Sequence, residues 1–269
     1  MENCWICNEP ANSEEHKFKA SDLKRTYGKK FQGMYIGEKP IPVNSYKAKE
    51  LKFPKIICEC CNVRRTRPHD DAYDIFTKYF HNNFEELVSS KILNFEAIYG
   101  KDWYEQKLNL YRYYAKHAGC KVRTSGLPHD LRDLSEFIRG KDHTEHLALK
   151  FELKVVIQLI HYYYNQKHKY GHLFNGHTVN FGWDRNNFSF GGWLSFNWLT
   201  VNWVVSKDIS EFKKTNFNRR FESLDIIDLD YYNLTALEMD SYDKMITYFD
   251  NGALNTLDRR VEHFKRMIG

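Results

Sequence analysis

Two pairs of cysteines with metal-ligand spacing lie in the first quarter of this 269-residue chain. Cys4 pairs with Cys7, and Cys58 pairs with Cys61. Structural zinc is commonly held in a tetrahedron by two such Cys-x-x-Cys turns, and this spacing in a reducing compartment indicates metal binding. The sequence therefore predicts a zinc site from these four residues. Cys60 competes for a place in the second pair, and free core thiols are the alternative interpretation.

A second group of side chains has the chemistry of hydrolysis. Glu15 and His16 follow the first cysteine pair, Asn62 directly follows Cys61, and His69 comes seven residues later. A neutral histidine is a suitable base near pH 7, and carboxylate and imidazole together suit a divalent ion such as Mg²⁺ or Mn²⁺. Each histidine in isolation would be an ordinary surface or core residue, but the ordered combination favours a function.

The elements that must position these residues have local signals. Lys55 to Cys58 predict a short strand, and Pro68 suits the first turn of a helix whose positive end Asp70 and Asp71 would occupy. Apolar residues then follow at helical spacing, which places His69 on the inward face. Residues 23–55 contain several glycines and prolines and predict an insertion without long elements.

The ordered series of motifs resembles a known family. Glu15-His16, then Cys58-x-x-Cys61-Asn62, then His69 resemble the His…Asn…His pattern of the HNH endonucleases, whose catalytic element is the ββα-metal, or His-Me, finger. The two Cys-x-x-Cys pairs resemble the zinc-stapled branch of that family. The resemblance covers residues 4–80, and the rest of the chain does not contribute to it.

The resemblance implies a role for each matching residue. His16 would lie at the end of the first strand and activate water, and Asn62 would brace the loop that positions this base. His69 would hold a divalent ion, Mg²⁺ or Mn²⁺, together with the acidic residue before the base, Glu15. The implied reaction is hydrolysis of DNA phosphodiester bonds.

The acidic ligand is the point at which this chain departs from the family pattern. Members often carry aspartate before the base, whereas this chain has Glu15. The longer side chain leaves Glu14 or Asp70 as alternative ligands.

Basic residues are concentrated beside the predicted site. The formal net charge is +5, and residues 39–67 include Lys39, Lys47, Lys49, Lys52, Lys55, Arg64, Arg65 and Arg67. Such a concentration suits a phosphate-rich partner, although charge alone favours a solvated face. We predict that the three arginines contact DNA phosphates, and exposed helix-flanking charges are the alternative.

Residues 83–269 predict a second domain, so the expected fold is α+β. An N-terminal zinc-stapled ββα-metal finger in residues 1–82 would carry the nuclease, and a larger helical domain with an antiparallel β section would target or regulate it. We expect aromatic side chains in the strands to pack in the core, with base stacking as the alternative. Helices are predicted near 84–98, 102–117, 129–139, 144–168 and 254–267, and Gly119 is predicted to end the second of them. Strands are predicted over 178–183, 188–193 and 194–205.

Composition and hydropathy narrow the class of protein to which the chain could belong. Hydrophobic residues make up 42% of the chain, which disfavours disorder. No run of 18 uncharged apolar residues predicts a membrane helix, and the N-terminus lacks a basic region followed by an apolar run, so we expect a cytoplasmic protein without a membrane partner.

The leading hypothesis is a metal-dependent DNA endonuclease. Partner proteins or a homodimer could assemble through the second domain, and a role as an effector in bacterial anti-phage defence is a further hypothesis. The alternatives are a non-catalytic zinc-dependent nucleic-acid-binding module and an assembly adaptor.

Overall fold

The protein is a mixed α+β structure, as the sequence predicts. The computed structural model describes residues 2–36, 40–154, 172–175, 178–183, 188–196, 199–210, 212 and 215–227. The helices are α1 (Ala20–Tyr27), α2 (Arg67–Asn82), α3 (Phe84–Ser90), α4 (Phe95–Tyr99), α5 (Trp103–Arg123) and α6 (Arg132–Ile138). The strands are β1 (Ser13–His16), β2 (Lys30–Ile36), β3 (Pro40–Ser45), β4 (Lys52–Ile57), β5 (Ile92–Asn94), β6 (Leu147–Lys154), β7 (His172–Asn175), β8 (Thr178–Trp183), β9 (Phe188–Phe196), β10 (Leu199–Ser206) and β11 (Phe221–Ile227).

The N-terminal part has the order strand, strand, helix around an inserted segment. β1 pairs antiparallel with β4, with Ser13 opposite Ile57 and His16 opposite Lys52. A short helical segment of π type, Cys60–Arg65, then leads into α2. Between the paired strands lie α1 and the antiparallel strands β2 and β3, none longer than 8 residues. The predicted strand near residue 55 and the predicted helix start at Pro68 are both confirmed.

Helix α5 is the central element that contacts the N-terminal part. Its side chains from Lys107 to Val122 are all buried, and it packs against α2 along much of its length. The predicted end at Gly119 is wrong, because the helix continues to Arg123. Gly119 is instead a site of close approach, where a Cβ atom would overlap the indole ring of Trp5.

A six-stranded sheet packs against α5, and its Phe151 contacts Tyr111 and Tyr114 of that helix. Its order is β5-β11-β6-β10-β9-β8, and all neighbours are antiparallel except β6 and β11. The strands predicted over 178–183 and 188–193 are confirmed, and the predicted strand over 194–205 is divided between the end of β9 and β10.

Two helix predictions beyond residue 82 are wrong in part. Residues 144–168 were expected to be helical, but Leu147–Lys154 form β6 because this segment pairs on both sides, with β10 and β11. The helix predicted over 84–98 divides into α3, β5 and α4. Lys91 ends α3 in the left-handed conformation at φ 56°, and the side chain of Asn94 accepts hydrogen bonds from the first turn of α4. Residues 155–168 and 254–267 lie outside the described residues.

One hydrophobic cluster runs through the described chain. It extends from Cys4 to Leu224 and includes residues on both sides of the predicted 82/83 domain boundary, which stays a prediction. Trp203 is buried in it, as expected for an aromatic residue that packs in the core, and Cys120 is fully buried as well. Within the described residues, no helix is both long and apolar enough to cross a membrane.

Candidate functional site

The four predicted cysteines come together in space. The sulfur atoms of Cys4, Cys7, Cys58 and Cys61 all lie within 4.8 Å of one another, and Cys7 Sγ is 3.5 Å from Cys58 Sγ. A Zn–S bond of about 2.3 Å in a tetrahedron separates ligand sulfurs by about 3.8 Å. The donor set therefore fits a metal such as zinc. Cys60 is exposed and lies outside this group, so Cys61 completes the second pair.

The first cysteine turn is attached to strand β4 by backbone hydrogen bonds. Asn8 N donates to Cys4 O at 2.8 Å, and the left-handed conformation of Asn8, at φ 66°, closes the turn. Trp5 N donates to Ile56 O at 3.2 Å. These bonds place the two sulfurs of the first turn beside those at the end of β4.

The second cysteine turn supplies donors to sulfur. Cys61 N lies 3.4 Å from Cys58 Sγ, and Arg65 Nη1 lies 3.0 Å from Cys61 Sγ. A hydrogen bond from the Cys61 thiol lowers the pKa of Cys4 to about 4, whereas the same contact and burial raise the pKa of Cys61. Burial also raises the pKa of Cys58, so the surroundings favour one thiolate in the cluster, on Cys4.

Asn62 connects the cysteine turn to the strand that carries the predicted base. Its Nδ2 donates to Glu14 O at 3.0 Å and to Ser13 Oγ at 2.9 Å. Both acceptors lie in β1, which continues with Glu15 and ends at His16. One amide side chain therefore fixes the strand just before the two residues of interest.

His16 is a partly buried, neutral imidazole. Its Nδ1 atom is buried and has no hydrogen-bond partner among the described residues. Burial, followed by the ammonium groups of Lys52 and Lys24, lowers the pKa of His16 to about 4. Lys52 also pairs with Glu14 at 3.1 Å, so it is anchored beside the ring. At neutral pH this imidazole can accept a proton.

His69 points inward from the first turn of α2, as predicted. It is 4% exposed, and its buried Nδ1 atom has no hydrogen-bond partner in the described part of the chain. Burial and the nearby cations Lys116 and Arg112 lower the pKa of His69 to about 3. A neutral imidazole with an unused nitrogen is a possible metal ligand or a hydrogen-bond acceptor.

Lys116 of α5 enters the same region and was not anticipated from the sequence. Its Nζ lies 3.2 Å from Glu15 Oε1, 3.3 Å from Asp70 Oδ1 and 3.2 Å from Thr66 Oγ1. The side chain is 1% exposed. Burial alone would lower the pKa of Lys116, but the carboxylates of Glu15 and Asp70 outweigh burial and raise it. Lys116 is therefore a charged ammonium that bridges two carboxylates.

The predicted divalent-ion ligands do not form a ready-made site. Among the described residues, the four cysteines are the one set of three or more cysteine, histidine or carboxylate side chains whose ligand atoms converge. Glu15, His69 and Asp70 supply the oxygen and nitrogen donors that Mg²⁺ or Mn²⁺ would need, and His69 Nδ1 is unused. The two carboxylates, however, already bind Lys116.

A second residue of α5, His117, braces the same strand end. Its Nε2 lies 2.9 Å from the backbone oxygen of Lys17, the residue that follows β1. The sequence held one signal for both residues: Lys116 and His117 interrupt a run of small and aromatic residues, Tyr113-Tyr-Ala115 and Ala118, that is buried on all sides. Charged residues in such a run must be buried too, and buried charges need partners.

The predicted DNA-contacting arginines lie at the surface beside the cysteine cluster. Arg64, Arg65 and Arg67 are exposed. Arg65 also donates to the Cys61 sulfur, and Arg67 makes a long contact of 4.0 Å with the exposed Asp71. The three side chains are accessible to a large partner. Lys39 lies outside the described residues.

Comparison with known proteins does not assign the chain to a family. No protein-family model, no curated protein and no solved structure matches the chain. The features of this chain that bear on its function are therefore the cysteine cluster and the residues around His16.

Proposed function

We propose that this protein is a metal-dependent endonuclease that hydrolyses DNA phosphodiester bonds, with His16 as the general base. One observation carries the proposal. The Asn62 amide donates to the β1 backbone at Glu14, so the middle residue of the His…Asn…His series is fixed to the strand that ends at His16. The β1, β4, α2 order agrees with the expected ββα-metal finger.

The chemistry assigned to His16 follows from its environment. A neutral imidazole can take a proton from water as the water oxygen attacks phosphorus and the bond to the leaving oxygen breaks. The lowered pKa keeps His16 neutral throughout the physiological range. The neighbouring cations Lys52 and Lys24, which lower that pKa, also favour approach of a phosphate.

The proposed divalent ion, Mg²⁺ or Mn²⁺, would be held by Glu15 and His69, with Asp70 as a further oxygen ligand. When bound, it would neutralise charge on the scissile phosphate. The exposed Arg64, Arg65 and Arg67 would hold the DNA backbone and fix its position without reading its sequence. The four cysteines would bind a structural Zn²⁺, which contributes folding free energy directly.

Cleavage of supercoiled plasmid tests the proposal. Wild type, His16→Ala and a control variant with an exposed histidine removed, His143→Ala, are compared with Mg²⁺ or Mn²⁺. We expect nicked or linear DNA from wild type and His143→Ala, and a loss of at least about 100-fold in His16→Ala, since a general base contributes about 10²–10⁴. All three should melt at the same temperature.

Two results would contradict the proposal. Equal cleavage by wild type and His16→Ala would remove His16 as the base. Cleavage by none of the proteins, with DNA binding retained and dependent on Cys58, would favour a zinc-dependent nucleic-acid-binding module.

A further inference from the structure

Lys116 holds the two carboxylates that the proposed divalent ion would need. An ammonium group has three N–H donors, and the three acceptors around this one are Glu15 Oε1, Asp70 Oδ1 and Thr66 Oγ1, all within 3.3 Å. Each of the three N–H donors of the Lys116 ammonium therefore has an acceptor beside it. The side chain reaches this point from α5, while the acceptors belong to β1, to the start of α2 and to the residue before it.

The three acceptors are arranged to bind a cation, and the Lys116 ammonium already occupies that position. Glu15 and Asp70 both contact the Lys116 ammonium, and the two carboxylates would repel one another without a positive charge between them. Lys19 holds the Asp70 backbone oxygen and also pairs with Asp74 at 2.9 Å, so Asp70 is fixed from the other side. His69, with its unused Nδ1, is the residue directly before Asp70.

We propose that the Lys116 ammonium and a divalent cation are alternative occupants of the Glu15–Asp70 carboxylate pair, and that Lys116 is the occupant in the resting protein. Mg²⁺ binds oxygen ligands at about 2.0–2.1 Å and carries two charges, so an ammonium that already contacts Glu15 Oε1 and Asp70 Oδ1 repels the ion and competes with it for these oxygens. Ion loading then requires Lys116 to withdraw. This inference rests on the proposed function and adds a control to the same site.

The withdrawal would couple the site to the rest of the chain. Lys116 belongs to α5, which also contacts α4, α6 and strand β10 in the larger part of the protein. A shift of α5 that moves Lys116 away from Glu15 would expose both carboxylates to an ion. A partner that acts on residues 83–269 would thereby switch on hydrolysis without touching the residues around His16.

Binding of Mn²⁺ to the zinc-loaded full chain tests this inference without DNA. Free Mn²⁺ is measured by electron paramagnetic resonance during titration of wild type, Lys116→Met and Lys116→Arg. We expect Lys116→Met to bind one Mn²⁺ at least tenfold more tightly than wild type, because methionine fills the space without the charge. Lys116→Arg should bind as weakly as wild type, and Glu15→Gln/Lys116→Met should lose the gain.

Lys107→Met is the matched control. Lys107 is another buried lysine of α5 that pairs with a carboxylate, Glu222, at 3.2 Å. It lies nine residues, or about 13 Å along the helix, from Lys116. Its replacement should disturb folding in a comparable way and leave Mn²⁺ affinity unchanged. If Lys116→Met lacks a cooperative melting transition, Lys116→Gln, which keeps two amide donors, replaces it.

The outcomes separate this inference from the proposed function. Equal, Glu15-dependent Mn²⁺ affinity in wild type and Lys116→Met would overturn the competition. Absence of specific Mn²⁺ binding in every variant would overturn the cation site itself. Tight binding by Lys116→Met without plasmid cleavage by any protein would support the competition and count against the nuclease.

Discussion

The cysteine cluster and the carboxylate site are built by neighbouring segments of the N-terminal part and differ in the donors that converge at each. The cysteines lie in the turn before β1 and in the turn after β4, whereas Glu15 and Asp70 belong to β1 and α2. Asn62, which follows Cys61, links the two by donating to the β1 backbone at Glu14. In the cysteine cluster, four soft donors converge within 4.8 Å. In the carboxylate site, two hard donors converge on the ammonium of Lys116.

The cysteine cluster is complete with its own ligands, whereas the carboxylate site depends on a side chain from α5. A structural metal site needs only its own ligands, and these come from two short turns. The carboxylate site takes its central charge from α5, so its state depends on how that helix is seated. Both sites meet α5 within one turn of the helix, since Trp5 packs on Gly119 and Glu15 binds Lys116.

Loss of one cysteine ligand should have the largest effect on stability, and it tests whether the cysteine cluster holds a structural metal. For Cys58→Ser we expect less than one zinc per chain and a loss of more than about 3 kcal/mol in the free energy of unfolding, because structural zinc contributes on the order of 10 kcal/mol to folding. Zinc content by mass spectrometry and melting by circular dichroism measure both quantities.

Cys60→Ser is the control for this change, since Cys60 is exposed and lies outside the cluster. Its free energy of unfolding should stay within about 0.5 kcal/mol of wild type. Unchanged zinc content and melting in Cys58→Ser would show that the four cysteines are free thiols, and the comparison between the two sites would fail.

A methyl group at Gly119 should have an intermediate effect, on the side of α5 that faces the cysteine cluster. Its Cβ atom would overlap the Trp5 ring, and overpacking of this kind costs about 1–3 kcal/mol. Alanine gains about 1 kcal/mol over glycine in helix propensity, so we expect Gly119→Ala to lose up to about 2 kcal/mol in stability. Urea unfolding measures the loss.

A double-mutant cycle identifies the cause. Trp5→Leu/Gly119→Ala should lose less stability than the sum of the two single changes, because the smaller leucine leaves room for the methyl group. Additive losses of stability would mean that Trp5 does not contact Gly119. The cysteine cluster and α5 would then not be coupled through this contact.

The features that the sequence predicted are those encoded over short distances. The Cys-x-x-Cys spacing identifies the sulfur ligands, and Pro68 with the helical spacing after it places His69 on the buried face of α2. Each of these patterns depends on neighbours within one or two turns of the chain. The antiparallel pairing of β1 with β4 brings them together across the insertion.

The unpredicted features depend on contacts between distant segments. Lys116 is about a hundred positions from Glu15, and its partner could be identified only once α5 was packed against β1 and α2. The segment of β6 is an exception, because its apolar residues at every second position, Leu147, Leu149, Phe151 and Leu153, are a local strand signal that agrees with its pairing to β10 and β11. Gly119 has the appearance of a helix end until the Trp5 ring is placed over it.

The last expected effect is confined to acid pH, and it tests the side of α5 that faces the end of β1. His117 is 3% exposed, contacts Lys17 O through Nε2 and meets the Phe53 ring edge-on. Burial, together with the nearby Lys121, lowers the pKa of His117 to about 3. The native state therefore keeps this imidazole neutral, while the unfolded chain takes up a proton below its ordinary pKa of about 6.5.

The sign of the pH dependence follows from this difference. As the pH falls from about 6.5 towards 3, the unfolded state binds more protons than the native state, and the free energy of unfolding decreases by up to about 1.4 kcal/mol per pH unit for each such histidine. His117→Gln can keep a donor for Lys17 O and removes one titrating group. We expect its stability to decline with a slope shallower by about that amount between pH 6 and pH 4.

Urea unfolding at several pH values measures both slopes. His69, whose pKa is also lowered to about 3, remains in the variant and should preserve part of the acid sensitivity. Identical slopes in wild type and His117→Gln would mean that His117 can be protonated in the native state. The end of β1 would then be open to solvent, and α5 would not hold the carboxylate site closed from this side.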